Sequence, residues 1–257
     1  RILIAGAPVS GSLLKRFESI LEQDCQVLTP YGATEALPIT SIERQEILSD
    51  TWEKSERGEG TCVGKPVPGA EIKIIRISDE TIPKWEEDLE IPKGQIGEII
   101  VKASWVTKSY FNQEDVTSLA KISDGKTFWH RMGDVGRLDE QNRLWFCGRK
   151  SHRVITDLGT LFTIPCEAIF NQHADVKRSA LVGIGGNREP VIIIEPENMD
   201  RVGQDQEILI RELLVLGAAS PNTRSIKKIL FYSDFPVDVR HNAKIFREKL
   251  ATWAENQ

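Results

Sequence analysis

Several patterns that mark large functional classes are missing from this sequence. It holds four cysteines in 257 residues, at positions 25, 62, 147 and 166, and no two of them form a CxxC pair. That argues against a disulfide framework or a zinc site and fits a reducing cytoplasm, the expected localisation. The formal net charge is −5 and no Lys/Arg cluster stands out, which excludes a nucleic-acid-binding surface as the main function. No apolar run approaches the roughly 20 residues that span a bilayer, and no signal-peptide pattern is visible. The four histidines (His130, His152, His173, His241) show no metal-ligand spacing. Internal repeats and low-complexity stretches are also missing. At 40% hydrophobic residues, the chain has enough apolar material for one large or two ordinary domains.

The apolar periodicities give an α/β start and an α+β end. RILIAGAP reads as a strand entering a Gly/Pro turn. SLLKRFESILEQ places Leu13, Leu14, Phe17, Ile20 and Leu21 at helical spacing, with Ser12 as its cap, and CQVLTPYG returns as a strand. The first 35 residues are thus expected to form a β-α-β unit. A β-rich segment without long helices follows. EIKIIRI, GEIIVKA and RLWFCGR are its strands, and the charged SDETIPKWEEDLEIPKGQ is a loop. The boundary is placed in GRKSHR, giving domains 1–150 and 151–257. The second domain reads as strand (HRVIT), helix (CEAIFNQH), strands (SALVGIG, PVIIIEP), helix (QEILIRELLVL), strand (KKILFYS) and a final helix (AKIFREKLATWA). Arg1 already lies in a buried-strand pattern, so the chain is expected to begin inside a domain.

Three stretches carry residues suited to chemistry. In PYGATEALPI, an aromatic ring, a glycine turn, a hydroxyl and a carboxylate fall within five residues. Tyr31 can stack on a base, Gly32 lets backbone approach a ligand, Thr34 can meet a phosphate oxygen, and Glu35 can hold a hard cation through oxygen. A surface turn with incidental polar residues is the equal alternative for so short a string. In HRMGDVGRLDEQNRLWFCGRK, Asp134 follows a glycine in a turn and can accept from ribose hydroxyls. Arg149, past a strand, can reach the same sugar. A charged hairpin explains the same residues. In FPVDVRHNAKIFREKLA, Asn242 can cap a helix whose first turn holds Lys244. A cation there meets the positive end of the helix dipole, a mild misfit that speaks slightly for a functional lysine, although a solvated lysine with no role is the commoner case. Cys147 sits in the apolar run LWFC and reads as core.

Taken together and in order, AGAP, YGATE, MGDVGRLD, the GR before the junction and NAK resemble the adenylate-forming (AMP-binding) superfamily over almost the whole chain. The resemblance implies the end of the large domain of that fold followed by a small mobile α+β lid domain. It implies that Gly6, Ala7 and Pro8 line an adenine on which Tyr31 stacks. Thr34 would touch the α-phosphate of ATP or AMP, and Glu35 would bind Mg²⁺. Asp134 and Arg149 would hold the ribose, and Lys244 would bridge carboxylate and α-phosphate during adenylation. The family's hinge position falls on Ser151, where Asp or Lys is usual. The glycine loop that meets the acceptor is represented by Gly159 and Glu167, displaced by extra residues in ITDLGTLFTIPCE.

These departures, with GRKSHRV and GTLFTIPCEAIFNQH, resemble the fatty-acid-activating branch, including enzymes that close β-lactones from 3-hydroxy fatty acids. The implied partners are a fatty or 3-hydroxy fatty acid, with CoA or a carrier-protein thiol as alternative acceptors. A non-catalytic scaffold is a third reading, against which the retention of Glu35, Asp134, Arg149 and Lys244 argues. The family's Ser/Thr/Gly-rich phosphate loop has no counterpart here and is expected upstream of Arg1. The chain is therefore expected to be the C-terminal portion of a ligase, with little or no adenylation activity alone.

Overall fold

The computed structural model describes residues 1–22, 24–186, 189–238 and 241–257. The chain divides into two compact units, one of residues 1–53 with 61–150 and the other of residues 54–60 with 151–257.

The first unit begins with β1 (Ile2–Leu3), α1 (Gly11–Glu18) and β2 (Val27–Ala33). β1 and β2 pair in parallel, Leu3 opposite Leu28, so the β-α-β unit is present. Its helix is capped by Ser10, whose Oγ accepts from the Leu13 amide at 3.2 Å, and not by Ser12. Ser10 is extended and so can aim its hydroxyl back at the first turn, whereas Ser12 already lies inside the helix. The helix stops at Glu18, leaving Ile20 exposed. β3 (Ala36–Glu43) turns back antiparallel on β2. A helical run then covers 44–56: α2 (Arg44–Glu46), a π-helical stretch (Ile47–Thr51) and α3 (Trp52–Glu56).

Six further strands complete a nine-stranded sheet: β4 (Thr61–Pro66), β5 (Glu71–Ile75), β6 (Gly97–Lys102), β7 (Lys121–Asp124), β8 (Thr127–Leu138) and β9 (Leu144–Arg149), with α4 (Glu114–Ala120) between β6 and β7. The order is β1-β2-β3-β4-β9-β8-β6-β5, with β7 on β8. Charged residues inside β8 make HRMGD look like a turn. It is instead the middle of a twelve-residue strand. Arg131 escapes the cost of burial because Glu98 of β6 takes it bidentately, at 2.9 and 2.8 Å.

The second unit holds a hairpin of β10 (Val154–Thr156) and β11 (Gly159–Leu161), then α5 (Thr163–Phe170). Its main sheet is β12 (Val176–Ile184), β13 (Glu189–Pro196) and β14 (Lys228–Phe231), with α6 (Met199–Ala218) crossing over between β13 and β14. The alternate residues of β13 enter two cores. Ile192 and Ile194 pack with Phe170, Leu209 and Leu213, while Val191 and Ile193 pack with Phe235, Leu250 and Ala254. This double burial is why PVIIIEP reads as an unbroken apolar run. The chain ends in a hairpin of β15 (Val237–Asp238) and β16 (His241–Ile245), followed by α7 (Arg247–Ala254). No helix among the described residues is long and apolar enough to cross a membrane.

Candidate active site

β2 and β3 form a hairpin in which Ala33 pairs with Ala36, so Thr34 and Glu35 are its two-residue turn. Gly32 lies within the strand and does not form the turn itself. A Cβ there would stand 2.2 Å from the Ala36 carbonyl oxygen, so glycine is required by the close approach of the hairpin's own return strand. Gly6, with φ +103°, Ala7 and Pro8 follow β1. Because β1 runs parallel to β2, this loop and Tyr31 both emerge at the carboxyl ends of paired strands, where open α/β sheets bind ligands.

Asp134 and Arg149 are cross-strand partners in β8 and β9. Gly133, at φ +68°, and a register shift between β8 and β6 set Asp134 at a bulge. The structure brings three predicted residues together here. Tyr31 Oη donates to Asp134 Oδ2 at 2.7 Å, and Arg149 Nη1 lies 3.0 Å from Asp134 Oδ1. Tyr31 also packs against Phe146, with ring centroids 5.9 Å apart. Burial pushes the Asp134 carboxyl up, opposed by Arg149 and the Tyr31 hydroxyl. Burial and the neighbouring Asp134 push the Tyr31 phenol well up in turn, so it stays a donor. Asp134 Oδ1 has the ion-pair contact but no directed hydrogen bond, and it is buried. That spare acceptor capacity suits a sugar hydroxyl.

Glu35 is half-buried and accepts from Tyr110 Oη at 2.9 Å, and its carbonyl accepts from the Thr107 amide at 2.9 Å. Burial alone would raise this carboxyl. Its own backbone amide, Tyr110, His130 and Lys121 together hold it below its ordinary value, so it is ionised. An ionised carboxylate is an oxygen donor that fits Mg²⁺, which is commonly held by one or two carboxylates with substrate phosphates. A cavity of about 330 Å³ adjoins it, lined by Glu35, Tyr110, His130, Met132, Arg149 and Lys150 among others.

Sequence reading missed the groups that frame this cavity. Lys121 Nζ lies 3.1 Å from His130 Nδ1 and donates to the Thr107 carbonyl. Burial lowers the Lys121 ammonium to about 8, against the attraction of Glu35. Burial and then Lys121 lower the His130 imidazole to about 4. The unfolded chain therefore binds more protons at His130 than the folded one between pH 4 and 6.5, and stability falls as pH drops through that window. Replacing His130 by phenylalanine is expected to flatten this part of the pH–stability curve. Urea denaturation at pH 6.5 and at pH 4.5 should show the wild type losing on the order of 1–3 kcal/mol more than the variant.

The remaining predicted residues lie in or at the edge of the second unit. Lys244 is exposed, but β16 holds it, and α7 begins only at Arg247. Asn242 therefore lies in a strand several residues before the helix starts, and the supposed dipole misfit of Lys244 disappears. Pairing with β15 outcompetes helix initiation in HNAKI. Ser151 is exposed in a single 3₁₀ turn, and Gly159, at φ +129°, sits in the β10–β11 hairpin. Glu167 is buried in α5, where Arg247 grips it at 2.8 and 2.7 Å and the Leu181 amide donates at 2.9 Å. His173 stands 3.6 Å from Asp175 and 3.4 Å from Glu212, a grouping invisible in the spacing of the histidines alone.

The candidate site thus holds an ionised carboxylate in a hairpin turn and a Tyr–Asp–Arg cluster. Residues 1–111 match the family model described as AMP-binding enzyme. The chain belongs to this family of AMP-binding, adenylate-forming enzymes. Among its relatives, it is 46% identical over 98% of its length to an olefin beta-lactone synthetase of Xanthomonas campestris, covering 46% of that protein. It is 44% identical over 99% of its length to an olefin beta-lactone synthetase of Stenotrophomonas maltophilia, covering 47%. The chain thus spans about half the length of the curated relatives it matches. Its fold is similar to that of an O-succinylbenzoate coenzyme A synthetase of Bacillus subtilis in complex with AMP. That match has TM-score 0.71 and 23% identity and covers 97% of this chain and 45% of that one. An amide bond synthetase of Marinactinospora thermotolerans gives TM-score 0.72 at 21% identity, with 99% and 46% covered.

Proposed function

We propose that this chain supplies the ribose- and metal-facing part of an ATP-dependent fatty-acid-activating enzyme that forms an acyl-adenylate with release of pyrophosphate. Residues 1–150 serve as the C-terminal part of its large AMP-binding domain and 151–257 as its small lid domain. The carrying observation is the Tyr31–Asp134–Arg149 cluster at the carboxyl ends of β1 and β2. Asp134 Oδ1 would accept from the ribose, with Arg149 holding that carboxylate ionised. The Tyr31 ring would carry the base together with Gly6, Ala7 and Pro8, and Thr34 would meet the α-phosphate. Mg²⁺ on Glu35 would supply charge compensation at the phosphates. Lys244 would stabilise the negative charge that builds between carboxylate and α-phosphate.

The acceptor in this reading is the substrate's own 3-hydroxyl. It attacks the acyl carbonyl and loses its proton to solvent, the new C–O bond closes a β-lactone, and AMP leaves with the electrons of the broken acyl–phosphate bond. Identity to two olefin beta-lactone synthetases supports it, as does the departure of the Gly159 hairpin from the usual acceptor loop. The 257 residues alone are expected to show little ATP–pyrophosphate exchange. The test gives the full-length protein ATP, Mg²⁺ and a long-chain 3-hydroxy acid, with and without CoA, and weighs the product by mass spectrometry. A CoA-independent product lighter by one water is expected. A CoA thioester would move the protein among the acyl-CoA ligases and leave the nucleotide-site assignments standing.

A further inference from the structure

A carboxylate on a two-residue hairpin turn is poorly restrained by its own strands. Within the turn the Glu35 carboxylate has its own backbone amide beside it, and metal binding needs its free oxygen in one place. The restraint comes from a segment some seventy residues further along the chain. The Thr107 amide donates to the Glu35 carbonyl at 2.9 Å, and Tyr110 Oη donates to Glu35 Oε1 at 2.9 Å. That segment is itself tied down. Val106 is buried in the sheet core. The Tyr110 amide donates to Thr117 Oγ1 at 3.0 Å, and Lys121 Nζ donates to the Thr107 carbonyl. Backbone and side chain of Glu35 are thus clamped from one anchored loop.

We infer that Tyr110 is a positioning residue for divalent-cation binding: by occupying Oε1 it fixes the plane of the Glu35 carboxylate and leaves Oε2 to face a Mg²⁺. A phenol suits this task. It has few rotatable bonds, and its hydroxyl at neutral pH donates a hydrogen bond without bringing a charge to compete with the cation. Outer partners that orient a metal's carboxylate ligand typically change affinity by about 10–100-fold when removed. The inference rests on the reading of Glu35 as the metal carboxylate, and the experiment separates the two.

The full-length protein is titrated calorimetrically with α,β-methylene-ATP, with and without Mg²⁺. The gain in nucleotide affinity on adding Mg²⁺ measures the coupling. Tyr110→Phe is expected to cut that gain by about 10-fold or more. It should leave the Mg²⁺-free affinity and the melting temperature unchanged, because the ring and its packing remain. In pyrophosphate exchange the KM for Mg²⁺ should rise while kcat at saturating Mg²⁺ holds. Glu35→Gln is expected to abolish the gain. If Glu35→Gln loses the gain and Tyr110→Phe keeps it in full, the positioning role is overturned. A loss of Mg²⁺-free affinity or of melting temperature in Tyr110→Phe as large as the loss of gain would overturn it as well, since the effect would then be general. If Glu35→Gln itself retains the gain, the assignment of Glu35 falls, and the inference with it.

Discussion

Glu98→Gln is expected to lower the stability of the first unit by about 3–5 kcal/mol, the usual cost of removing one partner of a buried ion pair. Glu98 is fully buried, and its carboxylate is shared. Arg131 takes both oxygens at 2.9 and 2.8 Å, and Lys150 Nζ stands 3.2 Å from Oε1. Neutralising it leaves a buried guanidinium facing an amide and deprives Lys150 of its carboxylate. Arg131 also donates to the carbonyls of Ser78, Glu80 and Leu119. The pair therefore fastens both the charged loop after β5 and the end of α4 to the sheet. A double change, Glu98→Leu with Arg131→Leu, removes the buried guanidinium but takes the Arg131 donor from the Glu80 and Leu119 carbonyls, while the Ser78 carbonyl keeps Lys150 Nζ at 2.6 Å, so it should recover only part of the loss. Urea denaturation of the three proteins reads these differences. A single variant within about 1 kcal/mol of wild type would mean that the pair is open to water in solution.

The largest expected effect on activity belongs to Lys244→Ala. In the full-length protein it should slow acyl-adenylate formation by about 10²–10³-fold, the range seen when one preorganised stabiliser of developing charge is lost. Lys244 is exposed on the β15–β16 hairpin, and the proposed nucleotide contacts of Tyr31, Asp134 and Arg149 belong to the other compact unit. Removing the lysine should therefore leave affinity for AMP unchanged, and ring closure from a supplied acyl-adenylate should proceed at its normal rate. Pyrophosphate exchange at the wild-type rate would end the assignment.

The sequence made the β-α-β start and most elements of the second unit legible. Their apolar residues either repeat at the period of the element, as in Leu14 and Phe17 of α1, or run unbroken where both faces are buried, as in Val191–Ile194 of β13. It failed where charged residues are buried in strands. β8 contains His130, Arg131 and Asp134 and is absent from the strands expected from sequence, because the partners of its charges lie elsewhere in the chain: Glu98 and Tyr31 are 33 and 103 residues away. A lone acid in GEIIVK and a lone base in FWHRM, each inside an apolar run, are the signal that could have paired the two strands. The β15–β16 hairpin was missed because HNAKIF resembles a capped helix start, and only the pairing partner tells otherwise. Of the candidate site, Tyr31, Glu35, Asp134 and Arg149 are legible in the sequence as chemistry-bearing residues, and the structure brings Tyr31, Asp134 and Arg149 together. The frame of Tyr110, Thr107, Lys121 and His130 is not legible there, since nothing local in KSYFN marks a tyrosine that reaches back to a turn 75 residues earlier.

The double burial of β13 has a consequence for how the second unit opens. A strand with one dry face can detach from its sheet while the opposite layer holds. Lifting β13 would expose Ile192 and Ile194 to water on one side and Val191 and Ile193 on the other in the same event. Its amide hydrogens, paired with β12 on one edge and β14 on the other, should therefore exchange with solvent only through unfolding of the whole unit. They should be the slowest in residues 151–257. For the same reason the stretch has no side on which a polar residue could accumulate harmlessly over evolution.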